Sequence, residues 1–146
     1  MTTVDDDRSR YLVDQSVMSH YRTKPTVERV VDQFAVSGVL CSCAVTMDEA
    51  QFSARNSRDL KFLTNLYGSV FHWLPCDEEV ESQVARIRAA LWAIGAGRGA
   101  QTTDVQIAAT ALRHDAIVVH NDTDFITIQR AVPELRQLRL RPDEAE

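Results

Sequence analysis

The stretch AIVVHNDTDF, residues 116–125, places four apolar residues directly before a polar run that contains two carboxylates. The apolar residues are typical of a strand that is buried in a sheet. An aspartate after a strand is most often a turn residue, because its side chain hydrogen-bonds its own backbone. A turn needs only one such residue, so the pair Asp122 and Asp124 raises the question whether one of them has a chemical role.

Apolar segments alternate with helical periodicity along the rest of the chain. Strands are predicted at 11–13, 39–45, 71–75, 116–120 and 138–141. Helices are predicted at 26–38, 46–68, 77–95, 102–115 and 123–132, with a break in the second near Asn56. Strands separated by helices indicate a parallel sheet with helices on both faces. The sequence therefore predicts an α/β fold.

The length of 146 residues is sufficient to bury a core, and we expect a single domain with a core at about 10–141 and frayed termini. No apolar run reaches the ~18 residues that a membrane-spanning helix needs. The start MTTVDDDRSR lacks the apolar segment of a signal peptide. We therefore expect a cytoplasmic protein that does not associate with a membrane.

The cysteines and tryptophans are predicted to be core residues. Cys41, Cys43 and Cys76, together with His72, match no usual zinc-site spacing, so small buried residues are the expected alternative. Trp73 and Trp92 are expected in the core as well.

The net charge of −5 and the pI of about 5.3 bear on possible partners. A protein that holds nucleic acid by charge alone normally has a basic face. Any nucleic-acid chemistry must therefore draw its positive charge from a local patch or from a bound metal ion.

Acidic residues follow several predicted strands or begin the helices after them. They are Asp14, Glu49, Asp104 and Asp122. In open α/β sheets, ligands bind beyond the carboxyl ends of the strands. A parallel sheet can therefore bring these four side chains to one edge.

Two of these acids have an alternative explanation as helix-start residues. Thr46 and Glu49 have the spacing of a capping box. Thr103 and Gln106 repeat that pattern, with Asp104 between them as a first-turn acid that complements the helix dipole. A structural role alone would then account for Glu49 and Asp104.

Asp14 and Asp122 have the alternatives of a helix cap and a turn residue. Taken together, however, four carboxylates in one cleft would repel each other, and such a cluster persists mainly when a divalent cation neutralises it. Oxygen ligands without His or Cys favour Mg²⁺ or Mn²⁺ over Zn²⁺.

Three segments together resemble a PIN domain, and specifically the VapC-type toxin ribonucleases of bacterial toxin–antitoxin pairs. They are YLVDQS (11–16), VTMDEAQFSAR (45–55) and TDVQIAATALRHDAIVVHNDTDF (103–125). The resemblance covers about residues 10–141, and its D-x-x-I-A-A-x-A and H-x-D-x-D-F blocks are the most specific. It implies a three-layer α/β/α PIN-like fold with a central, mainly parallel sheet flanked by helices.

The resemblance also implies roles for individual residues. The acidic catalytic set is Asp14, Glu49, Asp104 and Asp122, with Asp14, Asp104 and Asp122 as metal ligands. Ser16 corresponds to a small hydroxyl residue near the metal, and Asp124 to an outer acid that we expect to be peripheral, as a turn residue. Gln15 and Thr103 depart from the commoner residues of the family, but neither departure removes a ligand.

The implied activity is that of a Mg²⁺- or Mn²⁺-dependent endoribonuclease toxin. A metal-activated water would cleave single-stranded or loop RNA and leave a 5′-phosphate, with either Asp104 or Asp122 orienting the water. The basic residues that are candidates for holding flanking phosphates, each with the alternative of a solvated surface residue, are Arg22, Lys24, Arg55, Arg98 and Arg113.

A homodimer and a VapB-type antitoxin are the partners that the resemblance implies. The apolar stripe at 27, 30, 31 and 34, with Leu60, Leu63 and Tyr67, would suit an amphipathic partner helix. The first alternative is a catalytically inactive PIN-like module that binds RNA or protein. The second is a phosphatase or another Mg²⁺ hydrolase, but VDQSV (13–17) lacks the second aspartate of a D-x-D pair.

Overall fold

The computed structural model describes residues 8–142 and contains a five-stranded sheet. Its strands are β1 (Arg10–Val13), β2 (Val39–Ser42), β3 (His72–Trp73), β4 (Ala116–His120) and β5 (Gln137–Arg139). They lie in the order β3-β2-β1-β4-β5, and each neighbouring pair is parallel. The predicted parallel sheet is confirmed, and all five carboxyl ends point to one edge.

Helices fill every connection between the strands. They are α1 (Gln15–Met18), α2 (Pro25–Ser37), α3 (Ala44–Phe52), α4 (Ser57–Val70), α5 (Glu78–Ala93), α6 (Thr102–His114) and α7 (Thr123–Ala131). The predicted break near Asn56 separates α3 from α4, because the Asn56 side chain accepts the N–H of Asp59 at 2.8 Å and caps α4. Within the described residues, no helix is both long and apolar enough to span a membrane.

Both faces of the sheet are buried, which makes three layers. Successive strand residues point to opposite faces. Leu12 and Val118 accordingly pack in one core cluster with α5, α6 and α7, while Val13 and Val119 pack in another with α1, α2 and α4. The three-layer α/β/α fold predicted from the sequence is thus confirmed.

The start of α3 differs from the prediction. Strand β2 ends at Ser42 rather than at residue 45, and Cys43 is the residue before α3. The Cys43 N–H donates to Oγ1 of Thr46 at 2.9 Å, so Thr46 is the third residue of the helix and not its cap. The capping box predicted from Thr46 and Glu49 is therefore wrong, and Glu49 lies one turn further along α3.

Several predicted core residues lie at the surface. Trp73 is 48% and Trp92 is 59% exposed, and Cys76 is exposed, whereas Cys41 and Cys43 are buried. The reason is local, since Trp73 ends the two-residue edge strand β3 and Trp92 lies in the last turn of α5.

The apolar stripe of α2 packs in the hydrophobic core. Val27 and Val31 are buried, and Val30 and Phe34 pack against the same cluster. This stripe therefore offers little surface to a partner, contrary to its predicted use. The frayed ends that the sequence suggests fall mainly on residues 1–7 and 143–146, which lie outside the described residues.

Candidate metal centre

Asp14 directly follows β1, and its backbone N–H donates to the carbonyl of Val119 in β4 at 2.8 Å. Its Oδ2 accepts the N–H of Ser16 at 3.2 Å and the hydroxyl of Ser16 at 2.5 Å, so the residue caps α1. Ser16 Oγ in turn accepts the N–H of Asn121 at 2.9 Å, which ties α1 to the end of β4. The side chain is 4% exposed, and its Oδ1 is buried without a hydrogen-bond partner.

The pKa of Asp14 reflects these contacts. Burial raises it, the hydrogen bonds from Ser16 lower it, and the charge of Asp122 raises it again. The net direction is upward, because burial outweighs the hydrogen bonds. Asp14 therefore combines the predicted capping role with a second carboxylate oxygen that capping leaves unused.

Glu49 faces the same region from α3. Its Oε1 is buried without a partner. Burial raises the pKa of Glu49, and the charges of Asp14, Asp48 and Asp122 raise it further. Glu49 is therefore within electrostatic reach of the candidate acids Asp14 and Asp122. It lies away from the N–H groups at the start of its helix.

Asp104 lies in the first turn of α6 and is 5% exposed. The residue before the helix is Gln101, and no side chain caps it, so the pattern predicted from Thr103 and Gln106 does not form a capping box. Burial raises the pKa of Asp104 to about 9, and the hydrogen bond and charge of Asp124 and the charges of Asp122 and Asp14 contribute.

Asp122 and Asp124 both lie at the start of α7 and both face Asp104. Asp122 caps α7, because its Oδ1 accepts the N–H of Asp124 at 2.9 Å. Oδ2 of Asp124 accepts the N–H of Gln101 at 2.9 Å, which links the start of α7 to the start of α6. Carboxylate oxygens of Asp104, Asp122 and Asp124 all lie within 4.8 Å of one another. The capping residue and the outer acid therefore both belong to the cluster.

His120 supports this cluster from the end of β4. It is fully buried, and its Nδ1 accepts the N–H of Asp122 at 3.1 Å. The other ring nitrogen, Nε2, lies 2.6 Å from Oε1 of Gln137, which fits an imidazole protonated at Nε2. Burial lowers the pKa of His120. The residue is thus a packing and hydrogen-bonding partner of the acids.

The donor set fits a hard divalent cation. Like charges raise one another's pKa in the metal-free cluster, and two buried oxygens, Asp14 Oδ1 and Glu49 Oε1, have no protein partner. The 4.8 Å group comprises Asp104, Asp122 and Asp124, and Asp14 and Glu49 stand outside it. All these donors are carboxylate oxygens, which Mg²⁺ and Mn²⁺ prefer.

The candidate RNA-binding residues lie in different environments. Arg22 and Arg55 both pair with the buried Asp59, at 3.0 and 3.7 Å, and Arg22 also stacks over the ring of Phe62. Arg113 pairs with Asp77 and Glu79 near the end of α6, nine residues after Asp104 in the chain. Lys24 and Arg98 are exposed, the first before α2 and the second in the loop before α6.

One polar group near the acids was missed by sequence reasoning. Tyr67 was predicted as part of an apolar partner surface, yet it is 3% exposed and its hydroxyl is buried without a partner. It lines a cavity of about 450 Å³ with Gln15, the residue after Asp14. No sequence signal marks it, because tyrosine at an apolar position of a helix usually belongs to the core.

The sheet order and the acidic cluster at its carboxyl edge define an α/β protein with a candidate metal centre of carboxylates. Residues 11–131 match the family model of the PIN domain. The chain belongs to the PIN-domain family.

Individual relatives agree with this assignment. The chain is 31% identical over 121 residues to Ribonuclease VapC51 of Mycobacterium tuberculosis, covering 80% of this chain and 82% of that protein. It has the fold of VapBC2 from Rickettsia felis, with a TM-score of 0.76 at 12% identity over 90% of this chain and 99% of that one. A toxin-antitoxin complex from Klebsiella pneumoniae gives a TM-score of 0.67 at 15% identity, covering 90% and 97%.

Proposed function

We propose that this protein is a Mg²⁺- or Mn²⁺-dependent endoribonuclease, acting as the toxin of a type II toxin–antitoxin pair in the cytoplasm. The observation that supports the proposal is the group of Asp104, Asp122 and Asp124, whose carboxylate oxygens lie within 4.8 Å of one another, with Asp14 and Glu49 within electrostatic reach of Asp122. The relatives named Ribonuclease VapC support the reaction class. The metal ligands in this proposal are Asp14, Asp104 and Asp122, and Asp124 supports them.

The chain's own residues prepare the site for phosphodiester hydrolysis. When bound, the cation lowers the pKa of water and stabilises charge on phosphate oxygens. Ser16 holds Oδ2 of Asp14 by a hydroxyl hydrogen bond of 2.5 Å, which leaves Oδ1 for the cation. The ring of His120 fixes the backbone of Asp122. These carboxylate oxygens are then positioned to hold the cation, which would supply the positive charge at the scissile phosphate.

The negative net charge is compatible with RNA as substrate if the cation supplies positive charge at the scissile phosphate. Flanking phosphates would then contact exposed basic residues near the same edge. Lys24 directly precedes α2, and Arg98 lies in the loop between α5 and α6, which carries Asp104 in its first turn. Arg22 and Arg55 are weaker candidates, because Asp59 already neutralises part of their charge.

Cleavage of a mixed RNA substrate tests this proposal. We expect cleavage with Mn²⁺ or Mg²⁺, loss of cleavage with a chelator, and loss in Asp14→Asn. Asp115→Asn is the matched control, because Asp115 is an exposed acid that pairs with Arg136 at the opposite end of β4. Intact RNA under all conditions would favour the alternative, a PIN-like binding module without catalysis.

A VapB-type antitoxin is the proposed protein partner. The structural neighbours include VapBC complexes, and the cavity beside α4 has an apolar wall formed by Met18, Leu63 and Leu66. An amphipathic helix inserts apolar side chains into grooves of this kind. Leu63→Glu should abolish co-purification with the protein encoded by the neighbouring reading frame while leaving RNA cleavage intact.

A homodimer completes the proposal. Large apolar side chains remain exposed on α3 and α4, with Phe52 at 91% and Phe62 at 47% exposed. Light scattering coupled to size exclusion tests the assembly, and a strict monomer at micromolar concentration would contradict it.

A further inference from the structure

The hydroxyl group of Tyr67 is a buried polar group without a protein partner. Only four buried side-chain atoms of the described residues share this state: Tyr67 Oη, Asp14 Oδ1, Glu49 Oε1 and Gln15 Oε1. Burying a hydroxyl group without a hydrogen bond destabilises the folded state. Phenylalanine would fill the same space without that penalty, so the hydroxyl group calls for a functional explanation.

The hydroxyl group lies near Asp14 and Glu49, since Tyr67 lines the same cavity as Gln15, the residue after Asp14. Burial raises the pKa of Tyr67, and the charges of Asp14 and Glu49 raise it further, whereas no other charge contributes. Two of the remaining unpaired oxygens belong to these same two acids. The phenol therefore stays protonated at physiological pH, and it can donate a hydrogen bond toward the space that Asp14 and Glu49 border.

Packing fixes the position of this donor. The Tyr67 ring stacks on the ring of Phe71, with centroids 4.6 Å apart and planes inclined by 13°. The residue also belongs to the core cluster that contains Val13, the residue before Asp14. The hydroxyl group is consequently held in place by the core rather than by a hydrogen bond of its own.

We propose that Tyr67 is a positioning residue of the metal centre, whose hydroxyl group donates a hydrogen bond to a water molecule in the coordination shell of the divalent cation. A protonated phenol is a poor metal ligand but a good donor. Mg²⁺ usually keeps several of its waters when carboxylates bind it, so such an acceptor accompanies the ion. The inference rests on the proposed function, because it assumes the cation.

Tyr67→Phe tests the proposal with two measurements. Without metal, the variant should melt higher than wild type by roughly 2–5 °C, because it lacks the unpaired hydroxyl group. With Mn²⁺, its gain in melting temperature should be smaller than that of wild type, and cleavage at saturating Mn²⁺ should fall roughly tenfold or more, as is usual for residues behind metal ligands. The stack on Phe71 is preserved in this variant.

Tyr21→Phe is the matched control. Its hydroxyl group is paired, donating to Asp32 at 2.7 Å. This control should not melt higher without metal, and its response to Mn²⁺ should equal that of wild type.

The outcomes separate the inference from the proposed function. A Tyr67→Phe variant with the wild-type Mn²⁺ response would overturn the inference and leave the hydroxyl group with an ordinary hydration role. A wild-type protein that is stabilised by Mn²⁺ but cuts no RNA would overturn the proposed nuclease activity. The Mn²⁺-induced shifts in melting temperature of wild type and Tyr67→Phe would still show whether Tyr67 positions the cation. A wild-type protein that does not respond to Mn²⁺ would overturn both.

Discussion

Asp104 and Asp124 stand in the first turns of two different helices, yet carboxylate oxygens of the two residues lie within 4.8 Å of each other. The N–H of Gln101, which precedes α6, donates to Oδ2 of Asp124 and joins the two helix starts. Two carboxylates at this distance disfavour each other's ionised form. Burial and these neighbours raise the pKa of Asp104 to about 9, so the metal-free cluster is under electrostatic strain that a cation would relieve.

Replacing Asp104 by Asn should stabilise the metal-free protein. Burial and the neighbouring carboxylates disfavour the charge of Asp104 in the folded state, so the residue takes up a proton on folding, and the neutral Asn avoids this cost for an expected gain of at least ~1 kcal/mol. Mn²⁺ should raise the melting temperature of wild type much more than that of the variant, through linkage. Melting curves with chelator and with Mn²⁺ measure both effects.

Asp77→Asn is the control for this substitution. Asp77 also begins a helix, but it caps α5 and pairs with Arg113. Asn keeps an oxygen that can cap α5 and loses only the charge that pairs with Arg113, so this control should be no more stable than wild type, and its response to Mn²⁺ should be unchanged. If Asp104→Asn behaves in the same way, Asp104 is a helix-start residue only.

The stability of the metal-free protein should fall as pH rises. The pKa of Asp104 is raised to about 9 in the folded state from 3.8, so the folded state binds more protons than the unfolded state between these values. Stability then decreases with pH through this window. The difference in melting temperature between wild type and Asp104→Asn, measured with chelator from pH 5 to pH 9, isolates the effect. A difference that does not change with pH would show that Asp104 ionises normally.

Asp124 should contribute to cation binding, although the sequence suggested a peripheral turn residue. Asp124→Asn keeps an oxygen that can accept the N–H of Gln101, so the substitution mainly removes charge. We expect a smaller Mn²⁺-induced shift in melting temperature and slower cleavage. Asp115→Asn removes an equal charge from an exposed pair with Arg136 and should change neither. Identical behaviour of the two variants would show that Asp124 does not contribute to cation binding.

Ser16→Ala should weaken both the fold and the site. The hydroxyl group donates to Asp14 and accepts from the N–H of Asn121, so its loss leaves both groups short of a partner. The expected cost is ~1–3 kcal/mol in the free energy of unfolding, measured by urea denaturation, together with slower cleavage. Ser16→Thr retains the hydroxyl group and should restore both properties.

Ser69→Ala is the control for the serine substitution, because the Ser69 hydroxyl group donates only to the carbonyl of Asn65 on the exposed side of α4. It should unfold within about 0.5 kcal/mol of wild type, as surface substitutions usually do. Equal stability of Ser16→Ala and Ser69→Ala would mean that the link between α1 and β4 is unimportant.

The local pattern of the chain was sufficient to predict the fold. Apolar segments of strand length, separated by helical stripes, predicted the parallel sheet and the break at Asn56, because periodicity and helix caps act over a few residues. The four candidate acids could also be selected from the sequence, because each follows a predicted strand or begins the next helix. The carboxyl ends of parallel strands meet at one edge of the sheet, where ligands bind. The sequence likewise determined the PIN-domain resemblance, which the family match confirms.

Only the tertiary structure decided which polar atoms are satisfied. The caps of α7 and α3 depend on the backbone conformation within two or three residues of each helix start, which periodicity does not specify. Whether the Tyr67 hydroxyl group has a partner depends on the packing of segments far apart in the chain. The exposure of Trp73 and Trp92 was decided in the same way, by which neighbours cover them. The physical reason is that hydrogen bonds and burial are properties of packed neighbours, whereas periodicity is a property of one segment.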